Sequence, residues 1–341
     1  MSYSLSELNS RGVPSLVEGL QDVKEWMGRR ERILSEWLNY VEELPGNRGA
    51  VRWETLSEEE EECYVRLRIR YTVSDGDEVP AILLVPKAVA GGGSGKAPAV
   101  LALHPTAEAG KGDVATPAGR DNRRYGVELA ERGYVVLAPD VIAFGERVFP
   151  GAQPYMTAPF YEQRSGWTAV GKMLFDHMHG LDLLESLPFV DADRIGAIGH
   201  SLGGYNAYFL AGLDRRVKAI AVSCGFTVFA GDPEPNRWGQ REWFSHIPRI
   251  SADLAEGRVP FEHHEIAALV APTPFFNWNG TLDHIFPNWQ RISEACAAID
   301  ELYRFLGAEG RFSYLWGNSG HDFPANIRES AYTFLDRHLK L

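Results

Sequence analysis

The segment 194–208, RIGAIGHSLGGYNAY, carries Ser201 between Gly199 and Gly203. This is the G-x-S-x-G spacing in which a serine stands on a sharp strand-to-helix corner. The chemistry such a corner offers is nucleophilic. It lifts the hydroxyl above a sheet and sets it at a helix N-terminus, where unpaired N–H groups and the helix dipole favour a developing negative charge. Side chains at the two flanking glycines would collide with the neighbouring elements, which is why glycine recurs there. The alternative is an inert turn serine. An apolar run before Ser201 and a helical pattern after it favour the nucleophile.

A serine hydroxyl needs a base, and the chain has ten histidines. His200 adjoins the serine, but neighbouring side chains on this corner diverge, so it is expected to point into the surroundings of the elbow. His177 and His179 fall in a helical pattern, His263 and His264 in a long connection and His338 in the last helix. Packed or surface roles suit these five better. His321 lies in GNSGHDFP, just after the last apolar strand pattern. Functional groups gather at the carboxyl ends of strands in parallel α/β sheets, and both Ser201 and His321 meet that rule.

The acid that orients the base should follow the strand before the last helix–strand pair. FFNWNGTLDHIFP puts Asp283 there. Its task is to accept the imidazole N–H and stabilise the imidazolium. Asp140 ends another strand and is the rival. Asp322 adjoins the base and cannot easily reach around to it. An oxyanion hole takes one N–H from Leu202 and a second from the loop after AVLALH. Pro105 has no N–H, so Thr106 is the expected second donor.

These groups need a frame. Continuous apolar strands at APAVLALH, YVVLAPD, RIGAIGH, VKAIAVSCG, TPFFNWNG and RFSYLWGN alternate with helical patterns over 121–132, 165–187, 202–212, 288–306 and the C-terminal segment. That pattern predicts a mostly parallel twisted sheet with helices on both faces. CYVRLRIRYTV and VPAILLVP, joined by a turn at 74–77, predict an antiparallel hairpin at the sheet's N-terminal edge. Glu58 to Glu62 read as a solvated turn. Residues 15–44 are helical in pattern and stop at Pro45-Gly46. They predict an N-terminal arm, packed on the main body or used in a homo-oligomer. AVAGGGSGKAP reads as a surface loop, not a phosphate-binding one, because Ala97 follows Lys96.

Composition narrows the function. With 45% hydrophobic residues the chain can bury a large core, and a net charge of −12 argues against nucleic acid. No run of 18 apolar residues is present, so no membrane partner is expected. Three scattered cysteines and the lack of a signal-peptide pattern lead us to expect a reduced, cytoplasmic setting. No metal-ligand spacing such as HExxH occurs, and no metal or organic cofactor is expected.

Together these residues resemble the α/β-hydrolase superfamily, and within it the dienelactone-hydrolase-like and acetyl-xylan-esterase-like bacterial serine hydrolases. The resemblance runs through WMGRRERILSEWLNYVEELPG, VPAILLVPK, APAVLALHPT, LAERGYVVLAPDVIAFGER, LPFVDADRIGAIGHSLGGYNA, VKAIAVSCGF and GHDFP. It implies an α/β-hydrolase domain over 51–341 behind a helical arm over 1–50. The triad it implies is Ser201 as nucleophile, Asp283 as acid and His321 as base. It departs from the family at Ser201, where dienelactone hydrolases proper carry cysteine, and at the HPT loop, where many esterases carry HG and small residues. The implied activity is hydrolysis of a small-molecule ester with a small or medium acyl group, on a sugar by resemblance alone. A prolyl-oligopeptidase-like peptidase is the second reading, but the chain is too short for that family's gating domain. A non-catalytic binding protein is the third.

Substrate choice is expected in the insertions 141–164 and 226–270, which join strand ends near the serine. His104, Phe144, Tyr161, Phe226 and Trp238 are the residues expected to touch substrate. The alternative is that the rings of these insertions hold long loops down as small cores of their own.

Overall fold

The apolar runs become strands in the computed structural model, which describes residues 2–41, 44, 49–90 and 95–341. The expected helix stop at Pro45-Gly46 and the Gly91–Ser94 part of the expected loop lie outside the described residues. The strands are β1 (Tyr3–Ser4), β2 (Arg52–Glu60), β3 (Tyr64–Thr72), β4 (Glu78–Pro86), β5 (Ala97–Leu103), β6 (Val135–Pro139), β7 (Val190–His200), β8 (Val217–Ser223), β9 (Arg258–Val259), β10 (Phe275–Gly280) and β11 (Phe312–Gly317). Among the described residues, nine of them form one sheet in the order β11-β10-β8-β7-β5-β6-β4-β3-β2. From β11 to β6 the neighbours run parallel, and β4, β3 and β2 continue antiparallel. This is the α/β-hydrolase architecture. β5 is buried at every position, which an apolar strand between two helical layers requires. Separate apolar clusters fill the two faces of the sheet.

The acidic run departs from the turn expected for it. Glu58 to Glu60 belong to edge strand β2, paired with β3. Charges across the strand pair explain this. Arg66 meets both Glu59 and Glu61 at 2.5 Å, and Lys87 meets Glu60 at 3.2 Å. Each exposed pair contributes only about 0.2–1 kcal/mol, but charged side chains also blunt an open edge.

The helix expected over 15–44 begins only at Val23, after a separate short helix Leu5–Arg11 and an irregular stretch, and the helix Val23–Val41 buries Trp26, Ile33, Trp37, Tyr40 and Val41. These positions recur at helical spacing, so one face is apolar. Trp37 is fully buried against Phe209 and Phe261, with ring centroids 4.7 and 5.2 Å away. Complete burial of such a side chain contributes roughly 1.5–3 kcal/mol.

Charge fixes the 141–164 insertion. Lys172, fully buried, meets Asp75 at 2.7 Å and Asp176 at 2.8 Å. Asp176 also meets Arg147 at 2.6 Å, and Asp75 meets Arg164 at 2.8 Å. The insertion is thereby tied to the β3–β4 turn and to the helix Ala169–Ser186. The 226–270 insertion forms a short 3-10 turn at Pro235–Trp238, helices Arg249–Ala255 and His263–Ala268, and β9. β9 pairs with β1, so the chain's first residues join this insertion.

Candidate active site

Ser201 stands between β7 and the helix Leu202–Leu213, with φ 54° and ψ −117°. A non-glycine residue at positive φ costs of order 1–3 kcal/mol and persists only where its surroundings enforce it. Here they do. Ser201 N–H donates to the Ser223 carbonyl at 2.8 Å, continuing the β7–β8 ladder through the corner. A Cβ on Gly199 would sit 2.2 Å from the Gly203 carbonyl, and one on Gly203 would sit 1.9 Å from the Leu103 carbonyl oxygen. The two glycines let strand, helix and the end of β5 close around the serine.

His321 follows β11. Its Nδ1 lies 2.7 Å from Asp283 Oδ2. Asp283 is buried beyond the end of β10, and its other oxygen, Oδ1, accepts the N–H groups of Ile285 at 2.8 Å and Phe286 at 3.1 Å. Burial alone would raise this carboxyl. The His321 hydrogen bond and the two backbone donors outweigh burial and hold it below the ordinary carboxylate range. Ser201, Leu202, Thr106 and His321 line one cavity of about 320 Å³. A site of that size accommodates a small ligand.

The rivals are placed elsewhere. Asp140 is fully buried and accepts Lys111 N–H at 2.8 Å and Lys111 Nζ at 2.5 Å, which ties the loop after β5 to the loop after β6. Asp322 faces Arg123, not the His321 ring. His200 is buried with Nδ1 2.9 Å from Ser223 Oγ, and its ring centroid is 4.8 Å from that of His321. Cys224 Sγ lies within 4.8 Å of ligand atoms on Asp283 and His321. Burial, then the Asp283 charge, push its thiol up to about 12, so it stays protonated at neutral pH.

Of the five residues expected to touch substrate, Trp238 lines the cavity and the other four lie behind it. His104 is buried. Its Nε2 accepts the Val141 N–H at 3.2 Å and its Nδ1 lies 2.8 Å from the Pro105 carbonyl. These partners require the neutral ring protonated at Nδ1, and burial lowers its pKa accordingly. Phe144 packs among His104, Tyr155 and Phe244. Tyr161 donates to the Ser245 carbonyl at 3.0 Å and accepts the Ala169 N–H at 3.0 Å. Phe226 is fully buried, edge-on to Tyr208. These rings pin the loops.

Several lining groups carry no local sequence signal. Arg120, Arg123, Arg237 and Arg241 all border the cavity. Arg120 pairs with Asp113 at 2.6 Å, Arg123 with Asp322 at 3.0 Å and Arg237 with Asp232 at 2.9 Å. Among the described residues no carboxylate lies within ion-pair distance of Arg241. Its Nε donates to the Phe244 carbonyl at 2.9 Å, and its guanidinium covers the Trp243 ring at 4.2 Å. Burial first, and the neighbouring Arg237, lower its pKa. Tyr205, four residues after Ser201, meets His246 Nε2 at 2.7 Å on the same wall. Its spacing, one helical turn beyond the serine, was a signal available in the sequence.

The lining residues between Glu234 and His246 belong to the 226–270 insertion, and buried acids fasten that insertion. Glu262 accepts Phe229 N–H at 2.7 Å and Ala230 N–H at 2.9 Å. Tyr3 donates to Glu265 at 2.7 Å, Gly231 N–H donates to Asn9 at 2.8 Å, and His264 Nε2 lies 2.8 Å from the Pro14 carbonyl. Among the described residues, no helix is long and apolar enough to cross a membrane.

Known proteins share this frame. The chain is 27% identical to the Bacillus subtilis protein YtaP over 303 residues, covering 87% of this chain and 95% of YtaP. A glucuronoyl esterase from Solibacter usitatus superposes with a TM-score of 0.72 at 19% identity, covering 96% of this chain and 99% of the esterase. Acetyl xylan esterase 1 from a Thermoanaerobacterium species superposes with a TM-score of 0.57 at 14% identity, covering 89% and 93% of the two chains. At such identities the structures establish a shared fold. The model of the dienelactone hydrolase family matches residues 119–298, more than half of the chain, and the protein is accordingly a hydrolase belonging to the dienelactone hydrolase family.

Proposed function

We propose that the protein is a serine carboxylic-ester hydrolase working through an acyl-enzyme. The observation that carries this is the 2.7 Å contact between His321 Nδ1 and Asp283 Oδ2 at the cavity that also holds Ser201 on its positive-φ corner. His321 Nε2 takes the Ser201 proton as Oγ attacks the ester carbonyl, and the carbonyl π pair moves to oxygen. The N–H groups of Leu202 and Thr106 receive that oxyanion. The C–O bond to the alcohol breaks, and the alcohol leaves with the proton from His321. Water then adds to the acyl-enzyme by the same base and releases the acid and Ser201. No metal or organic cofactor enters these steps.

The substrate reading is an ester on an oxygen-rich partner. Two lines support it. The structural relatives include a glucuronoyl esterase and an acetyl xylan esterase. The cavity wall offers Arg241 without a carboxylate, beside the Tyr205–His246 pair. The guanidinium N–H groups of Arg241 favour carbonyl, hydroxyl or carboxylate oxygens over a hydrocarbon surface, because an apolar group would leave them without an acceptor. The decisive measurement is turnover of aryl and sugar acetates by Ser201→Ala, with a fluorophosphonate probe alongside. Loss of about 10⁶ in kcat is expected, together with loss of the adduct. Full activity in the variant excludes the serine mechanism. Turnover with no adduct on the wild type excludes Ser201 as nucleophile. An adduct-free, inactive wild type favours a binding protein.

A further inference from the structure

Arg123 reaches the base through the backbone of His321. It lies just before the helix Tyr125–Glu131 and is 5% exposed. Its Nη2 donates to the His321 carbonyl at 3.2 Å, and its Nη1 donates to Asp322 Oδ1 at 3.0 Å and to the Asn122 carbonyl at 2.9 Å. Asn122 Nδ2 donates to the same Asp322 oxygen at 2.6 Å, and that oxygen accepts the Phe323 N–H at 2.7 Å. The Asp322 carbonyl is held in turn by Trp278 Nε1 at 2.9 Å. The segment carrying Arg123 touches the other two parts of the site as well. Tyr125 Oη donates to the Leu103 carbonyl at the end of β5 and accepts the His200 N–H at the end of β7. Arg120 pairs with Asp113, beyond the loop that carries Thr106.

His321 needs such a hold. It stands in an irregular turn after β11, and Asp283 fixes only its ring. We propose that Arg123 is a positioning residue: by clamping the His321 carbonyl and the Asp322 carboxylate, it keeps the base loop in register with the nucleophile corner. Burial alone would raise the Asp322 carboxyl. The hydrogen bonds from Arg123 and Asn122 outweigh that and hold it below the ordinary range, as a carboxylate kept charged for this contact. The inference rests on His321 being the base. Arg123 also borders the cavity, and its Nε is buried without a partner, so a direct substrate contact is the competing role.

The test uses Arg123→Gln, Arg123→Lys, Asp322→Asn and the double variant Arg123→Gln/Asp322→Asn in the full chain. Displacing a catalytic group by about 1 Å costs on the order of 10²-fold. Arg123→Gln should therefore lower kcat on an aryl acetate by about 10- to 100-fold, with KM within about threefold of wild type. Arg123→Lys should recover part of the loss. The double variant should lose no more than Arg123→Gln alone, because one contact is removed twice. The downfield proton resonance of His321 Nδ1 should broaden in Arg123→Gln and persist in the wild type. A raised KM with unchanged kcat assigns Arg123 to substrate binding and overturns the proposal, as does additive loss in the double variant or an unchanged kcat. Should Arg123→Gln fail to fold, Asp322→Asn decides by the same readings. The resonance is read without substrate. It therefore tests the positioning even where the ester reading fails, and full activity in Ser201→Ala marks that separate failure.

Discussion

Replacing Asp283 by Asn offers a test whose outcome follows from three distances. Asp283 Oδ1 accepts two backbone N–H groups, at 2.8 and 3.1 Å, while Oδ2 meets His321 Nδ1 at 2.7 Å. An asparagine amide has one acceptor and one donor end. The two backbone donors claim its oxygen, so its NH₂ must face His321 Nδ1. That nitrogen then has to accept, and the imidazole proton moves to Nε2, the side that should take the Ser201 proton. The variant is isosteric and keeps its backbone bonds, yet holds the base in the wrong tautomer. The same exchange in a serine protease lowers kcat about 10⁴-fold, or about 5 kcal/mol of transition-state stabilisation. Single-turnover release of p-nitrophenol from an aryl acetate at pH 7.5, with a thermal melt to verify folding, measures it. A folded Asp283→Asn protein within tenfold of wild type refutes the assignment of Asp283 and the tautomer reasoning together.

Other expectations can be checked alongside. Gly203→Ala places a methyl 1.9 Å from the Leu103 oxygen; the packing cost should reach about 3 kcal/mol, and an unchanged melting temperature contradicts that close approach. Burial pushes Glu262 up to about 7, against the backbone donors that favour its charged form. Because the folded value exceeds the ordinary 4.5, the folded chain binds the extra proton, and this contribution is lost as pH rises from 4.5 to 7. Stability should fall across that window by at most about 3 kcal/mol, and urea titrations should find a flatter profile in Glu262→Gln. Arg241→Gln should raise KM for esters bearing a carboxylate about tenfold or more while leaving neutral aryl acetates within about twofold; equal effects on both remove Arg241 from substrate choice.

Much of the geometry of the candidate site is local and therefore legible. The elbow needs glycines at fixed offsets around Ser201, and Asp283 and His321 follow strands whose apolar runs stand out. The acidic run reads as a turn because Glu58 to Glu60 form a strand only by pairing with β3, where Arg66 meets Glu59, and Lys87, just after β4, meets Glu60. The cavity arginines are hidden for a similar reason. Nothing near Arg241 in sequence marks it as lacking a carboxylate; that is a property of what the fold brings beside it. His104 and Phe144 follow strand ends, where site residues are expected, yet they are buried and hold the loops together instead of lining the cavity.

The pairing of β1 with β9, with Tyr3 on Glu265, Asn9 on Gly231 and Pro14 on His264, joins the first residues of the chain to the segment that supplies Arg237, Trp238, Arg241 and His246 to the cavity wall. For anyone recombining family members to change substrate scope, the exchangeable module is thus discontinuous. A 226–270 graft moved without its own residues 3–14 would meet a foreign strap, with Glu265 left to find another donor. Swaps made as matched pairs should retain a formed cavity where single-segment swaps lose it.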